Sequence, residues 1–238
     1  MATTIENRTS EDCLPACHHG MRRQMVVELL LSGILQSNLR AGERLVIKDL
    51  SARFQVSSTP IREALVQLEG IGLIDFVPNS GAVVRHVTRG DVREICQVRR
   101  VLECEATRSA CGCIELSELH DLAKSFQQMK NTRRRGASYV DKARQLDSRL
   151  HDLISESCGN RLLAKEIGRL KLLHRTFRDV SWENRIAEND FFRFAEEADE
   201  HLDIVNALIA RDRRIASRAM AKHIRAGLKY WGRNLPAA

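Results

Sequence analysis

Between Ile47 and Leu68, two apolar stripes of helical period are separated by a three-residue break, Gln55-Val56-Ser57. Ile47, Leu50 and Phe54 recur at steps of three and four, which puts them on one side of a short helix. Ile61, Ala64, Leu65 and Leu68 do the same for a second helix. Ser58 or Thr59 starts that helix, and Pro60 falls in its first turn, where a missing N–H is tolerated. The break between the stripes is a tight turn.

The flanks add to this pattern. Met25, Val26, Leu29, Leu30, Ile34 and Leu35 mark an earlier helix from Met21 to about Gln36, ended by Leu39-Arg40-Ala41-Gly42. After Gly70 and Gly72 come two short strand patterns, Leu73 to Val77 and Ala82 to His86, joined at Asn79-Ser80-Gly81. Three short helices followed by a two-stranded hairpin is the layout of a winged helix-turn-helix. Its third helix has the dimensions to enter a DNA major groove, exposing Ser58, Thr59, Arg62 and Gln67. A small helical protein-interaction domain is the alternative for this stretch.

From Thr88 onwards no strand pattern recurs. The periodicity predicts six helices, near 90–110, 115–131, 137–157, 160–181, 190–210 and 212–233. Short breaks between them predict an antiparallel bundle. The expected fold is therefore mainly α: a flexible tail (1–20), a winged helix-turn-helix (21–88) and an antiparallel bundle of six or seven helices (89–238). Aromatic residues make up only 5% of the chain, which favours packed helices over a β-sandwich.

The net charge of +7 invites a nucleic-acid partner. Its distribution does not locate one. Residues 1–88 carry 9 basic and 9 acidic side chains, and residues 89–238 carry 29 and 22. Arg133-Arg134-Arg135 reads as a solvated loop. No apolar run approaches the ~20 residues needed to span a bilayer, and Met25 to Leu35 is interrupted by Glu28 and Ser32. With no apolar export core near the N-terminus, a cytoplasmic protein is expected. The seven cysteines, several within helical patterns, read as reduced small hydrophobes. Cys13-x3-Cys17-His18-His19 superficially resembles a metal clip but has no second ligand pair nearby.

Asp147 and His151 are four residues apart and share a helix face. His201 and His223 lie on two other predicted helices. Counting from the connecting turns at ~1.5 Å per residue puts the three histidines at ~12, ~15 and ~16 Å, nearly one level. The four side chains can therefore converge inside the bundle. Imidazole plus carboxylate suits a divalent metal, with zinc first and nickel or manganese as alternatives. Isolated histidines on helices are also common as ordinary core or surface residues. Arg99, four residues before Glu103, fits either a helical ion pair or a ligand-holding arginine.

Val56-Ser57-Ser58-Thr59-Pro60-Ile61-Arg62-Glu63-Ala64-Leu65, preceded by Gly42-Glu43-Arg44-Leu45, resembles the DNA-binding domain of GntR-family transcription regulators. The second half resembles the FCD domain of the FadR-like branch, through Arg99-Arg100-Val101-Leu102-Glu103, His151 with Gly159-Asn160, and His201 with Ala207-Leu208 and Asp212 to His223. Together these stretches cover roughly residues 22–232. By position, the resemblance implies DNA contacts from Lys48, Ser57, Thr59 and Arg62, and from Ser80 and Gly81 at the wing tip. Ser58 departs from the family, which usually carries Arg there and uses it on DNA, so half-site preference is expected to differ. The physical logic agrees: Arg62 can donate two hydrogen bonds to a guanine edge, and Lys48 and the hydroxyls can hold phosphates.

In FCD proteins the same Asp-x3-His…His…His pattern binds metal, which implies that Asp147, His151, His201 and His223 do so here. Arg99 matches a recurrent arginine of the family and is the expected effector contact. The resemblance thus implies a homodimeric regulator, more often a repressor, on a pseudo-palindromic double-stranded DNA operator. A small organic acid in the FCD domain would change operator affinity. The alternatives are a regulator whose effector is the metal itself and, more remotely, a metal-dependent hydrolase. No serine elbow, phosphate loop or dinucleotide glycine fingerprint is present, so an enzyme is not expected. Glu156, five residues beyond His151, faces away from any general-base position.

Overall fold

The structure is a computed structural model that describes residues 19–35, 38–78, 80–86, 88–132, 136–188 and 191–231. The Cys13, Cys17 and His18 motif, Asn79 and Arg133-Arg134-Arg135 lie outside the described residues. The chain divides into two compact units, Met1–His86 and Val87–Ala238.

The first unit contains helices α1 (His19–Leu35), α2 (Ile47–Phe54) and α3 (Ser58–Ile71) and strands β1 (Arg44–Leu45), β2 (Ile74–Val77) and β3 (Gly81–Val84). The helices share a core of Val26, Leu30, Leu50, Phe54, Ile61, Leu65 and Leu68. Gln55 ends α2 in the left-handed conformation, φ 53°, which reverses the chain sharply before α3. Gly72 closes α3 the same way, φ 86°, donating its N–H to the Glu69 and Leu68 carbonyls. The hairpin is there, with one addition. Arg44–Leu45 pairs antiparallel with β3, giving a three-stranded sheet of order β1-β3-β2. A two-residue strand is too short to show alternation in a sequence. Gly42, φ 82°, sits where a Cβ would run into the His86 ring, so the turn into β1 requires glycine.

The second unit is all helical among the described residues: α4 (Arg89–Ala110), α5 (Leu116–Asn131), α6 (Ala137–Ser157), α7 (Arg161–Glu188), α8 (Phe192–Ile209) and α9 (Arg213–Trp231). Three of the starts have a clear local cause. Thr88 and Asp91 form a reciprocal capping box at α4. Asn160 Oδ1 accepts the Leu162 and Leu163 N–H groups at α7, and Asp212 Oδ1 those of Arg214 and Ile215 at α9. These caps set the heights of their helices. One expected break moves. α7 runs through Ser181 to Glu188 rather than ending near 181, because that stretch holds no Gly or Pro to stop it. α4 packs on α9, α5 on α8, and α8 on α9 around Phe126, Leu150, Phe194, Ile204, Val205 and Met220. No helix among the described residues is long and apolar enough to cross a membrane. The five cysteines described, Cys96, Cys104, Cys111, Cys113 and Cys158, are free thiols.

Candidate functional site

In the first unit, the apolar stripe of α3 is spent on the core, so the opposite face is left to solvent. Pro60, Ile61, Ala64, Leu65 and Leu68 are buried. Ser58, Thr59, Arg62, Val66 and Gln67 are exposed, and so is Lys48 on α2. Ser57 is exposed at the α3 N-cap, and its side chain makes no capping hydrogen bond. At the hairpin, Ser80 is half-buried and Gly81 exposed, with φ 76° at Gly81. Val66 is 58% exposed and lies four residues after Arg62, on the same face. Nothing in the sequence flagged it, because an apolar residue at helical spacing normally reads as core.

In the second unit, α6 brings Asp147 and His151 to a point that α8 meets with His201 and α9 with His223. One ligand atom from each of the four lies within 4.8 Å of the others. Asp147 Oδ1 is 3.5 Å from His201 Nε2 and 3.7 Å from His151 Nε2. The ring centroids of His201 and His223 are 4.4 Å apart, and those of His151 and His223 5.4 Å. All four residues are buried. Nε2 of His151 and Nε2 of His201 are buried without a hydrogen-bond partner. Buried imidazole nitrogens normally find one, so this arrangement is costly until an electrophile takes the lone pairs. Three imidazoles and one carboxylate at this spacing are a fitting donor set for a divalent metal ion.

Two carboxylates stand behind the histidines. His151 Nδ1 is 2.6 Å from Glu103 Oε2, and His223 Nδ1 is 2.9 Å from Glu200 Oε2. Burial pushes the Glu103 carboxyl up, but Arg99 and His151 outweigh it and hold Glu103 well below the usual carboxylate range. At Glu200 burial is likewise overcome, by His223 and Arg193, and its pKa is brought down to about 2. Both are thus ionised acceptors, so each histidine donates from Nδ1. Burial, and then the neighbouring His223, push His201 down to about 4, and burial also lowers His223. Both rings are therefore neutral at neutral pH, the form that can ligate a metal. The sequence singled out Glu103 only as a partner for Arg99, and Glu200 not at all.

A family model for the FCD domain matches residues 94–226, and one described as bacterial regulatory proteins, gntR family, matches residues 22–84. The chain belongs to the GntR family of transcription regulators. Its second unit is the FCD domain of the FadR-like branch. This GntR regulator is 29% identical over 201 residues to the HTH-type transcriptional repressor RspR of Escherichia coli K12, spanning 84% of this chain and 85% of that protein. It is 26% identical over 203 residues to a probable D-xylose utilization operon transcriptional repressor of Paenarthrobacter nicotinovorans, spanning 85% of each. The solved structure of E. coli McbR/YncC shares the fold, with a TM-score of 0.70 at 20% identity over 88% of this chain and 96% of that one. The regulator therefore binds DNA through its winged helix-turn-helix, and its family is one of regulators rather than enzymes.

Within the FCD domain of this GntR regulator, Arg99 is 5% exposed and donates from Nε to Glu103 Oε1 at 2.6 Å. The helical ion pair, one of the two roles its spacing allowed, is present. The cavity beside Asp147 and His201, walled by Phe126, Met129 and Phe194, encloses only about 10 Å³. A cavity that small is less than a small-molecule site needs.

Proposed function

We propose that this GntR regulator is a homodimeric, ligand-responsive repressor whose FCD domain holds a divalent metal, zinc in first place, through Asp147, His151, His201 and His223. The observation that carries it is the convergence of those four buried side chains, with two orphaned Nε2 atoms, in an FCD domain joined to a DNA-binding domain. A bound metal supplies Lewis acidity and a fixed positive charge at the bundle centre. The chain's own residues define what can join it. Burial keeps His201 and His223 neutral, and Asp147 contributes one negative charge, so a small carboxylate anion is the complementary ligand. Arg99 is the proposed effector contact, holding a carboxylate of that acid.

On the DNA side, Arg62 reads a guanine edge while Lys48, Ser57, Ser58 and Thr59 hold the register through phosphates. Val66 is placed to meet a thymine methyl. Ser80 and Gly81 carry the wing tip to the minor groove or backbone. A dimer doubles these contacts over a pseudo-palindrome. Ligand changes operator affinity only by binding two arrangements of the dimer unequally.

Two observations favour a second reading, in which the metal itself is the effector. Among the described residues, the cavity beside Asp147 and His201 encloses only about 10 Å³, and Arg99 donates to Glu103. The two readings separate in one experiment. The operator is selected from a random duplex library, and DNA affinity is measured for metal-loaded and chelated protein, with and without a panel of carboxylates. The organic-acid reading expects a change that needs both metal and carboxylate. The metal-effector reading expects affinity to follow free metal alone.

A further inference from the structure

The metal cluster is backed by two chains of contacts built on the same plan. In the first, Arg99 Nε donates to Glu103 Oε1 at 2.6 Å, and Glu103 Oε2 accepts His151 Nδ1 at 2.6 Å. In the second, Arg193 grips Glu200 through both oxygens, at 2.6 and 2.9 Å, and Glu200 Oε2 accepts His223 Nδ1 at 2.9 Å. Arg99, Glu103 and Arg193 are each 5% exposed or less. The guanidiniums anchor the carboxylates, and the carboxylates orient the rings. Each imidazole is left with its Nε2 lone pair, and the His151 one is buried with no hydrogen-bond partner.

We propose that Glu103 and Glu200, anchored by Arg99 and Arg193, are positioning residues that lock His151 and His223 as Nδ1–H tautomers with their Nε2 atoms aimed at one point. A carboxylate behind a ligating histidine fixes its tautomer and raises its basicity, and losing one typically costs 10–100-fold in metal affinity. The two chains differ in setting. The Arg99 chain is sealed in the bundle, whereas Arg193 and Glu200 line an open surface cavity of about 570 Å³ with Lys222, Arg225 and Tyr230. This inference rests on the cluster being a metal centre, but the tautomers are a property of the metal-free protein.

The test therefore has two arms. In the first, long-range ¹⁵N NMR of the chelated wild-type protein, at about pH 8 where imidazoles are neutral, reads the tautomers directly. His151 and His223 are expected as Nδ1–H, and an Nε2–H tautomer at either overturns the proposal for that chain even if the protein binds metal well. In the second, cobalt(II) affinity is measured by chelator competition for Glu103→Gln, Glu200→Gln and Glu196→Gln. Glu196 also faces Arg193, at 3.5 Å, and accepts the Tyr230 hydroxyl, so it shares the anchor of Glu200 without backing a histidine of the cluster. Both relay variants are expected to lose 10–100-fold, with a shifted cobalt absorption band, while Glu196→Gln keeps the parent affinity. Equal losses in Glu196→Gln and Glu200→Gln would mean that charge alone matters and would overturn the relay, as would unchanged affinity in Glu200→Gln. If Glu103→Gln does not fold, the Glu200 variant and the wild-type tautomers decide. A parent protein that takes up no cobalt sinks the metal reading, while the tautomers of the metal-free protein still show whether the two carboxylates orient the rings.

Discussion

Glu103 on α4 and His151 on α6 meet at 2.6 Å, although 48 residues of chain separate them. The contact joins an ionised carboxylate to a ring nitrogen, so it leaves the opposite nitrogen of His151 facing Asp147, His201 and His223. A buried cluster of this kind is a fitting donor set for a divalent cation.

His201→Ala or His223→Ala should therefore empty the site. Each removes one of the four converging donors. Metal content by mass spectrometry of the purified variants should fall well below that of the parent, and any response to a carboxylate should go with it. Full occupancy in both variants would falsify the proposed coordination.

The histidines also set a pH dependence. His201 has an ordinary value of 6.5 and is held at about 4 in the fold. As pH falls below 6.5 the unfolded chain takes up this proton first, so protons favour unfolding. The stability is fully present above 6.5 and is lost as pH falls through the window down to about 4. The slope is about 1.4 kcal/mol per pH unit for one such group, and His223 adds to it in the same direction. Glu103 and Glu200 act in a lower window, below their ordinary value of 4.5. Urea melts of the chelated protein across the range should show the loss beginning near neutrality. Stability that stays level down to the carboxylate window would contradict burial of neutral histidines.

Arg62→Ala should weaken specific operator binding by roughly 1–3 kcal/mol, the discrimination carried by one bidentate base contact. The side chain is exposed, so the melting curve should move little, by about 0.5 kcal/mol or less in stability. Binding to unrelated DNA should change far less than binding to the operator. Equal losses on both would make Arg62 a phosphate contact instead.

A thermal-shift screen against small carboxylates and sugar acids, run with metal and after chelation, should find its hits only in the metal-loaded protein. A ligand at roughly 100 times its dissociation constant adds about 2.7 kcal/mol to the folded state, a shift that is easily seen. Among the described residues the cavity at Asp147 encloses only about 10 Å³, so a ligand that enters there requires α5 and α8 to part. Hydrogen exchange in α5 and α8, which wall that cavity, should then change on binding.

What the sequence determined by itself is whatever depends on the period of single elements and on residue counts from the turns that join them. The three- and four-residue steps of Ile47-Leu50-Phe54 and Ile61-Leu65-Leu68 dictate two short helices, and Gln55-Val56-Ser57 dictates the turn. Asp147 and His151 share a face wherever their helix packs. The turns at Gly159 and Arg211 bring His151, His201 and His223 to one level, because rise per residue is the same in every helix. The tertiary structure decided what depends on how one helix is rotated against another. A one-residue error in rotation swings a side chain by about 100°, as much as the width of a helix's buried face. Hence Glu103 reads in sequence only as the partner of Arg99, and Glu200 as one more acid on a charged helix. Packing of α4 on α6, and of α8 on α9, turns both into supports for the histidines. The same packing closes the space beside Asp147 and buries Arg99 in an ion pair, since those distances are set by side chains from helices far apart in the chain.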